Sequence, residues 1–188
     1  IEVVKYLIEQ YHANVEAKNN NGKTPLHIAS KKGDIELLKY LIEQCHANVE
    51  AKDNNGKTPL HIASKKGDIE FVKYLIEHCN ANVEARSNYG KTPLHYASYN
   101  GRIEVVKYLV ERCHANVKAR CSDKRTPLHY ASYKDHIEVV KYLVEQCHAD
   151  IEAKDNNKCT PLHIASYNGR IEVVKYLIEQ YHANVEAK

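Results

Sequence analysis

The chain has 188 residues and a net charge of +3, and it contains neither Met nor Trp. Hydrophobic residues make up 43% and charged residues 27%, which excludes a disordered polymer. No apolar run is long enough to insert into a membrane, and no secretory leader is recognisable, so we expect a cytoplasmic protein. The 27 basic and 24 acidic residues alternate along the chain, which argues against a nucleic-acid-binding tract.

One motif recurs at a fixed interval. The sequence Thr-Pro-Leu-His occurs five times, and each copy begins 34 residues after the previous one. The copies are Thr24–His27, Thr58–His61, Thr92–His95, Thr126–His129 and Thr160–His163. Residues 1–18 are identical to residues 171–188. We therefore predict a single array that spans 1–188, with a half unit at 1–18 and full units at 19–52, 53–86, 87–120, 121–154 and 155–188.

Each unit is predicted to form two helices. In the first unit Thr24 is a good N-cap and Pro25 suits the first helical position, so the first helix begins there. Gly33 allows the left-handed turn that ends this helix, and Asp34 can cap the second helix. The second helix carries one apolar stripe, formed by Ile35, Leu38, Leu41 and Ile42.

A polar segment joins each unit to the next. In the second unit it contains Asn55-Gly56, a tight-turn signal, and we expect it to project as an extended finger. Two helices this short cannot bury their apolar faces alone, whereas stacked neighbours can. The pattern therefore predicts a one-dimensional solenoid.

These residues resemble the ankyrin repeat family over the whole chain. The resemblance implies an all-α solenoid of stacked helix-turn-helix units with short β-hairpin-like fingers. It also implies a concave face made by the fingers and first helices, and motif histidines that tie neighbouring units together. The unit is one residue longer than is usual for the family, and the extra residue falls near Gln44-Cys45-His46.

Three positions break the glycine pattern of the turns. Lys124 and Lys158 replace the finger glycine, and Asp135 replaces the glycine between the helices. If the backbone keeps a positive φ there, each substitution costs a fraction of a kcal/mol to about 2 kcal/mol.

The 12 His and 6 Cys residues raise the question of a metal site. Cys45-His46, Cys113-His114 and Cys147-His148 recur at the repeat period, but residues one unit apart lie about 8–10 Å from each other and cannot share a zinc ion. We therefore expect these cysteines to fill space at the helix end. Cys121 and Cys159 are non-equivalent; a disulfide is one alternative, and variation at a surface position is the favoured one.

No catalytic or cofactor-binding motif is found, and the motif histidines are too regular to form an active site. We expect no enzyme activity, no cofactor and no metal. Nucleic-acid binding is disfavoured by the modest net charge.

The resemblance implies that a partner contacts the finger tips and the exposed ends of the first helices. Carried onto this sequence, the predicted partner-binding residues are Lys31, Lys32, Lys65, Lys66, Tyr89, Tyr99, Asn100, Tyr133, Lys134, Tyr167 and Asn168. Basic residues also occupy the fingers, at Lys23, Lys57, Lys91 and Arg125. The early units are rich in lysine and the later ones in tyrosine, so we expect an acidic protein segment against units one and two.

Two functions remain open. The favoured one is a non-catalytic protein–protein interaction module that binds its partner through the concave face. The alternative is a structural scaffold or elastic segment of a longer ankyrin array with flanking repeats. A cytoskeletal or membrane-linked partner fits that alternative, as the family's arrays often connect such proteins.

Overall fold

The structure, a computed structural model, describes residues 1–185. In this range the chain forms eleven helices and no strand. They are α1 (Glu2–Tyr11), α2 (Pro25–Lys32), α3 (Ile35–Lys39, continued by a π-helical turn at Tyr40–Gln44), α4 (Pro59–Lys66), α5 (Ile69–Glu77), α6 (Pro93–Tyr99), α7 (Ile103–Glu111), α8 (Pro127–Tyr133), α9 (Ile137–Glu145), α10 (Pro161–Tyr167) and α11 (Ile171–Tyr181).

The helices form two rows. The first helices of the units (α2, α4, α6, α8 and α10) pack closely on one another, whereas the second helices (α3, α5, α7, α9 and α11) touch one another much less. A stack whose two rows differ in spacing must curve toward the closer row. The first helices and the fingers therefore form the inner side of the stack, and the second helices form the outer side.

The core runs between the two rows. The same leucine of each second helix is completely buried, at Leu41, Leu75, Leu109, Leu143 and Leu177. Burying one such side chain contributes about 2 kcal/mol, and each unit supplies several. The predicted amphipathic stripe of the second helix is thus confirmed, and the core is continuous from unit to unit.

The Thr-Pro-Leu-His motif joins the units through hydrogen bonds. In the third unit the backbone N–H of Thr92 donates to Nδ1 of His95 over 3.1 Å. The proton of the ring therefore sits on Nε2, which donates over 3.1 Å to the carbonyl of Arg125 in the next finger. His27, His61 and His129 make the equivalent bond to the following finger. The role that the resemblance implies for these histidines is confirmed.

The fingers close as tight turns without becoming a sheet. The N–H of Gly56, at φ 70°, donates to the carbonyl of Asp53, as the Asn-Gly signal predicts. One backbone bond then links neighbouring fingers, for example from Asn54 N–H to the Asn21 carbonyl. A single bond per finger is too few for a strand ladder, so the fingers are hairpin-like turns in the part of the chain described.

The end of each second helix explains the 34-residue period. His46 lies in the left-handed region at φ 54°, and the N–H of Ala47 reaches back to the carbonyl of Leu41. In the usual Schellman closure this bond spans one residue fewer. The extra residue of the unit is therefore taken up by a wider closing loop, with a histidine or an asparagine where a glycine is common.

The glycine replacements keep the turn geometry. Lys124, Asp135 and Lys158 have φ values of 59°, 62° and 62°, so the predicted strain is present at each. At Asp135 a second cost is added, because Oδ1 is buried without a hydrogen-bond partner. The fourth unit is thus the least regular of the five.

Candidate protein-binding groove

A groove of about 450 Å³ crosses the inner side of units one to three. We call it the basic groove, because six basic side chains line it: Lys23, Lys31, Lys57, Lys65, Lys66 and Arg102. The only carboxylate among its lining residues is that of Asp53, and it is 6% exposed. Its Oδ1 accepts the backbone N–H groups of Asn55 and Lys57, so it serves mainly to hold the finger turn.

The repeat motif itself positions the finger lysines. The carbonyl of Lys57 is held by His27 Nε2 at 2.9 Å, and the carbonyl of Lys91 is held by His61 Nε2 at the same distance. Because the backbone of these two fingers is fixed by the preceding unit, Lys57 and Lys91 leave their fingers at the same place in units two and three. A structural motif thereby sets the spacing of the charges.

A smaller pocket of about 150 Å³ continues the groove toward unit four. It shares Lys65, Tyr96 and Asn100 with the basic groove and is closed by tyrosines. We call it the tyrosine pocket; its lining residues are Lys65, Lys91, His95, Tyr96, Tyr99, Asn100 and Tyr130.

Lysines cover the tyrosine rings on this side. The Nζ of Lys57 lies 5.2 Å from the ring centre of Tyr96, and that of Lys91 lies 4.4 Å from the ring of Tyr130. Such contacts are worth about 0.5–1 kcal/mol at exposed sites. The rings of Tyr96 and Tyr130 are therefore each covered on one face by an ammonium group, which keeps this part of the inner side positive.

The fold separates charges that alternate in the sequence. The fingers, first helices and inter-helix turns (19–34, 53–68, 87–102, 121–136 and 155–170) contain 13 basic and 6 acidic residues. The second helices and the loops that follow them (1–18, 35–52, 69–86, 103–120, 137–154 and 171–185) contain 13 basic and 17 acidic residues. A net charge of +3 thus conceals a basic inner side and an acidic outer side, a division that the linear pattern did not reveal.

Burial and neighbouring charges both act on Lys57, at the centre of the groove. Its pKa is lowered, first because burial disfavours the charged form. Asp53 raises it, and the positive charges of Lys65, Lys23 and Lys91 lower it again. Lys57 is therefore surrounded by three like charges, and an anion bound there would relieve their repulsion.

The outer side carries a ladder of a different kind. Tyr108 donates from its hydroxyl to Glu77 of the preceding unit over 2.7 Å. The same bond recurs from Tyr40, Tyr74, Tyr142 and Tyr176. Here tyrosine and glutamate satisfy each other between units, so each pair of this ladder links two neighbouring second helices.

The predicted partner-binding residues do not lie together. Lys31, Lys65 and Lys66 line the basic groove, as does Asn100, and Tyr99 lines the tyrosine pocket. Lys66 is partly engaged, because its Nζ donates to the Lys32 carbonyl and to Asp68. The other predicted residues line neither cavity; they are Lys32, Tyr89, Tyr133, Lys134, Tyr167 and Asn168.

Among the lining residues that the sequence reasoning missed, three have side chains suited to binding: Tyr96, Arg102 and Tyr130. Arg102 was overlooked because its unit lacks the aspartate cap, and its Nε instead donates to the Lys65 carbonyl over 3.2 Å. Tyr96 and Tyr130 replace the isoleucines found at this position in units one, two and five. That replacement was the available signal for the tyrosine pocket.

The cysteines fill space, with one correction. Cys45, Cys79, Cys113 and Cys147 are free and half-buried at the helix ends, as expected. Cys121, in contrast, is not a surface residue: it is 5% exposed, and its Sγ lies 3.4 Å from the hydroxyl of Tyr130. Cys121 thus occupies the buried finger position at which units two and five have Asp53 and Asp155. Within residues 1–185 no three His, Cys, Asp or Glu side chains converge on a metal position.

This architecture defines a class: a helical repeat stack with a groove on its inner side. A family model described as ankyrin repeats (3 copies) matches residues 1–53, 31–121 and 112–188. The chain therefore belongs to the ankyrin repeat family, whose members are in general protein–protein interaction modules rather than enzymes. A comparison with curated proteins gives no match. None of the helices in the described part is long and apolar enough to cross a membrane.

Proposed function

We propose that this chain is a protein-binding module that holds an acidic segment of another protein in the basic groove. The observation that carries the proposal is the groove's composition, with six basic side chains and one buried carboxylate. Charge complementarity of this kind speeds association and rejects basic partners. The tyrosine pocket beside it provides contact area of the type that is enriched at binding hot spots.

A protein partner is favoured over a nucleic acid. Single-stranded nucleic acids bind by stacking bases on open aromatic faces. On this inner side Lys57 and Lys91 cover the rings of Tyr96 and Tyr130, and Tyr99 stacks on Tyr133 at a centroid distance of 6.0 Å. These faces are occupied, whereas the lysine ammonium groups remain accessible to carboxylates.

The test compares charge reversals that differ only in their position. Lys31 lines the basic groove and its neighbour Lys32 does not, although both are exposed at the end of α2. We expect Lys31→Glu with Lys65→Glu to weaken binding of poly-L-glutamate at least about tenfold, and the loss to shrink as salt is added. The control, Lys32→Glu with Lys175→Glu, carries the same charge change outside the groove and should bind almost normally.

Two outcomes would overturn the proposal. Equal loss in both variants would mean that only net charge matters. Tighter binding of single-stranded polyuridylate than of poly-L-glutamate at the same salt concentration would favour a nucleic-acid ligand. Affinity purification of the full-length protein, repeated with the groove variant, would then identify the partner. We propose that the complex is cytoplasmic, because all six thiols of this chain are free.

One observation favours a second function, a scaffold segment within a longer array. Val3 and Leu7 of α1 are 71% and 45% exposed, whereas their counterparts Leu37 and Leu41 are 7% and 0% exposed. Apolar surface of this kind is covered elsewhere in the stack by another unit. Sedimentation of the chain at high concentration tests whether a second copy can cover it, and a clean monomer would count against end-to-end association.

A further inference from the structure

The finger lysines form a regular row. Lys23, Lys57 and Lys91 occupy the same position in three successive units. Lys23 and Lys57 line the basic groove, and Lys91 lines the adjoining tyrosine pocket, so the three face one continuous cavity. In the part of the chain that the structure describes, none of their ammonium groups lies within 4.0 Å of a carboxylate.

The row has a defined end. The equivalent residue of the fourth unit is Arg125, whose Nε donates over 2.9 Å to Asp155. The Asp155 side chain is 1% exposed, so the arginine charge is neutralised by a buried partner. The fifth unit has Cys159 at this position. Three successive charges are therefore left for a ligand, and the fourth is not.

The basic groove runs along the stack across units one to three and is open to solvent along its length. A ligand that reaches all three lysines therefore lies lengthwise across the units. An extended segment in the polyproline II conformation suits this position, because it has no internal hydrogen bonds and its backbone groups are free to bind the polar fingers.

The period of the stack then fixes the spacing of the charges. Packed helices lie about 8–10 Å apart, so the finger lysines repeat at about that distance. A segment in the polyproline II conformation rises about 3.1 Å per residue with three residues per turn, so side chains three residues apart lie on one face, about 9 Å from each other. A spacing of two or four residues falls about 3 Å out of register per unit and turns the side chain away from the lysine row.

Building on the proposed function, we infer that the ligand is an extended segment with three acidic side chains at every third residue, one opposite each of Lys23, Lys57 and Lys91. A segment of this kind needs seven residues from its first acidic side chain to its last. Its intervening residues face the fingers and first helices between the lysines.

Three peptides test the register. The first is Glu-Gly-Ser-Glu-Gly-Ser-Glu, the second is Glu-Glu-Glu-Gly-Ser-Gly-Ser with the same composition, and the third carries Gln in place of Glu in the first. Binding of fluorescently labelled peptides to the 188-residue chain is followed by anisotropy at low salt. We expect the first peptide to bind about tenfold more tightly than the second, and the third not to bind measurably.

A matched pair of variants ties the effect to the row. Lys57→Gln should remove the preference between the first two peptides, because it breaks the row at its centre. Lys175→Gln, on α11 among Glu172 and Glu179 of the outer side, should leave the preference intact. A thermal unfolding curve for each variant verifies that both are folded.

The outcomes separate this inference from the proposed function. If the first two peptides bind equally and the third does not, an acidic ligand stands and the three-residue register is wrong. If all three fail to bind, or all three bind equally, the acidic ligand itself is wrong and so is the register. A preference that survives Lys57→Gln would also overturn the register.

Discussion

The inner and outer sides of the stack use the same residue types, tyrosine, lysine and carboxylate, in different ways. On the outer side Tyr108 donates to Glu77, and the same pair recurs in every unit. On the inner side the carboxylates hold backbone turns, as Asp53 does, while Lys23 and Lys57 have no carboxylate within reach. The comparison teaches that the outer tyrosines and glutamates are paired with each other, whereas the inner lysines gather around one cavity. That shared cavity is what motivates the proposed ligand.

The largest expected effect is a fall in the free energy of unfolding at low pH, and it comes from the histidines buried beneath the inner side. Burial lowers the pKa of His61 and of His95 to about 4, and it outweighs the hydrogen bonds to the next finger that raise it. A pKa below the unfolded value of about 6.5 means that the unfolded chain binds the extra protons as the pH falls. Stability is therefore full above about pH 6.5 and declines as the pH falls toward 4.

From pH 7 to pH 5 we expect the free energy of unfolding to fall by about 2 kcal/mol for each of these two histidines. The measurement is urea unfolding followed by circular dichroism. Most carboxylates stay ionised in this interval, so they contribute little to the change. A free energy of unfolding that is constant within about 1 kcal/mol over this interval would contradict the buried neutral histidines.

The next largest change in the free energy of unfolding is expected at the turn that joins the inner row of helices to the outer row. Asp135 combines a positive φ with a buried Oδ1 that has no hydrogen-bond partner. We expect Asp135→Gly to raise the free energy of unfolding by about 1–2 kcal/mol. Lys124→Gly, which relieves only the backbone strain of an exposed residue, should raise it by about 1 kcal/mol. If both variants raise the free energy of unfolding by the same amount, the buried Oδ1 of Asp135 does not destabilise the fold.

Much of this fold follows from the sequence, because its signals are local. Thr24, Pro25 and Gly33 mark helix ends through their own backbone preferences, and the 34-residue period requires stacking. The left-handed turn at His46 was not predicted in detail, because a histidine carries no strong signal for positive φ.

The binding groove was harder to predict. The family resemblance pointed to Lys31 and Lys65, which line the groove, and equally to Lys32, which does not, because adjacent residues look alike in a sequence. Tyr96 was missed because its role depends on Lys57, which lies in the preceding finger. The division of charge between the two sides likewise appears only when residues 34 apart are superposed by the fold.

The outer ladder should contribute a modest stability. Tyr108→Phe removes one exposed hydrogen bond to Glu77, so we expect a loss of about 0.5–1 kcal/mol in the free energy of unfolding. Tyr89→Phe is the control, because Tyr89 is 59% exposed at a finger tip and its hydroxyl has no partner in the described structure. An equal change in both variants would mean that the ladder does not stabilise the stack.

The smallest effect on stability should come from the residue that we propose to matter most for binding. Lys57 gains from its contact with the ring of Tyr96, but desolvation and the repulsion of neighbouring lysines offset that gain, so its ammonium group stabilises the fold little on balance. We expect Lys57→Gln to change the free energy of unfolding by less than about 0.5 kcal/mol, measured in the same urea series as Tyr108→Phe. A loss larger than that of Tyr108→Phe would mean that Lys57 holds the stack together. The inner lysines would then be structural like the outer tyrosines, and the contrast between the two sides would fail.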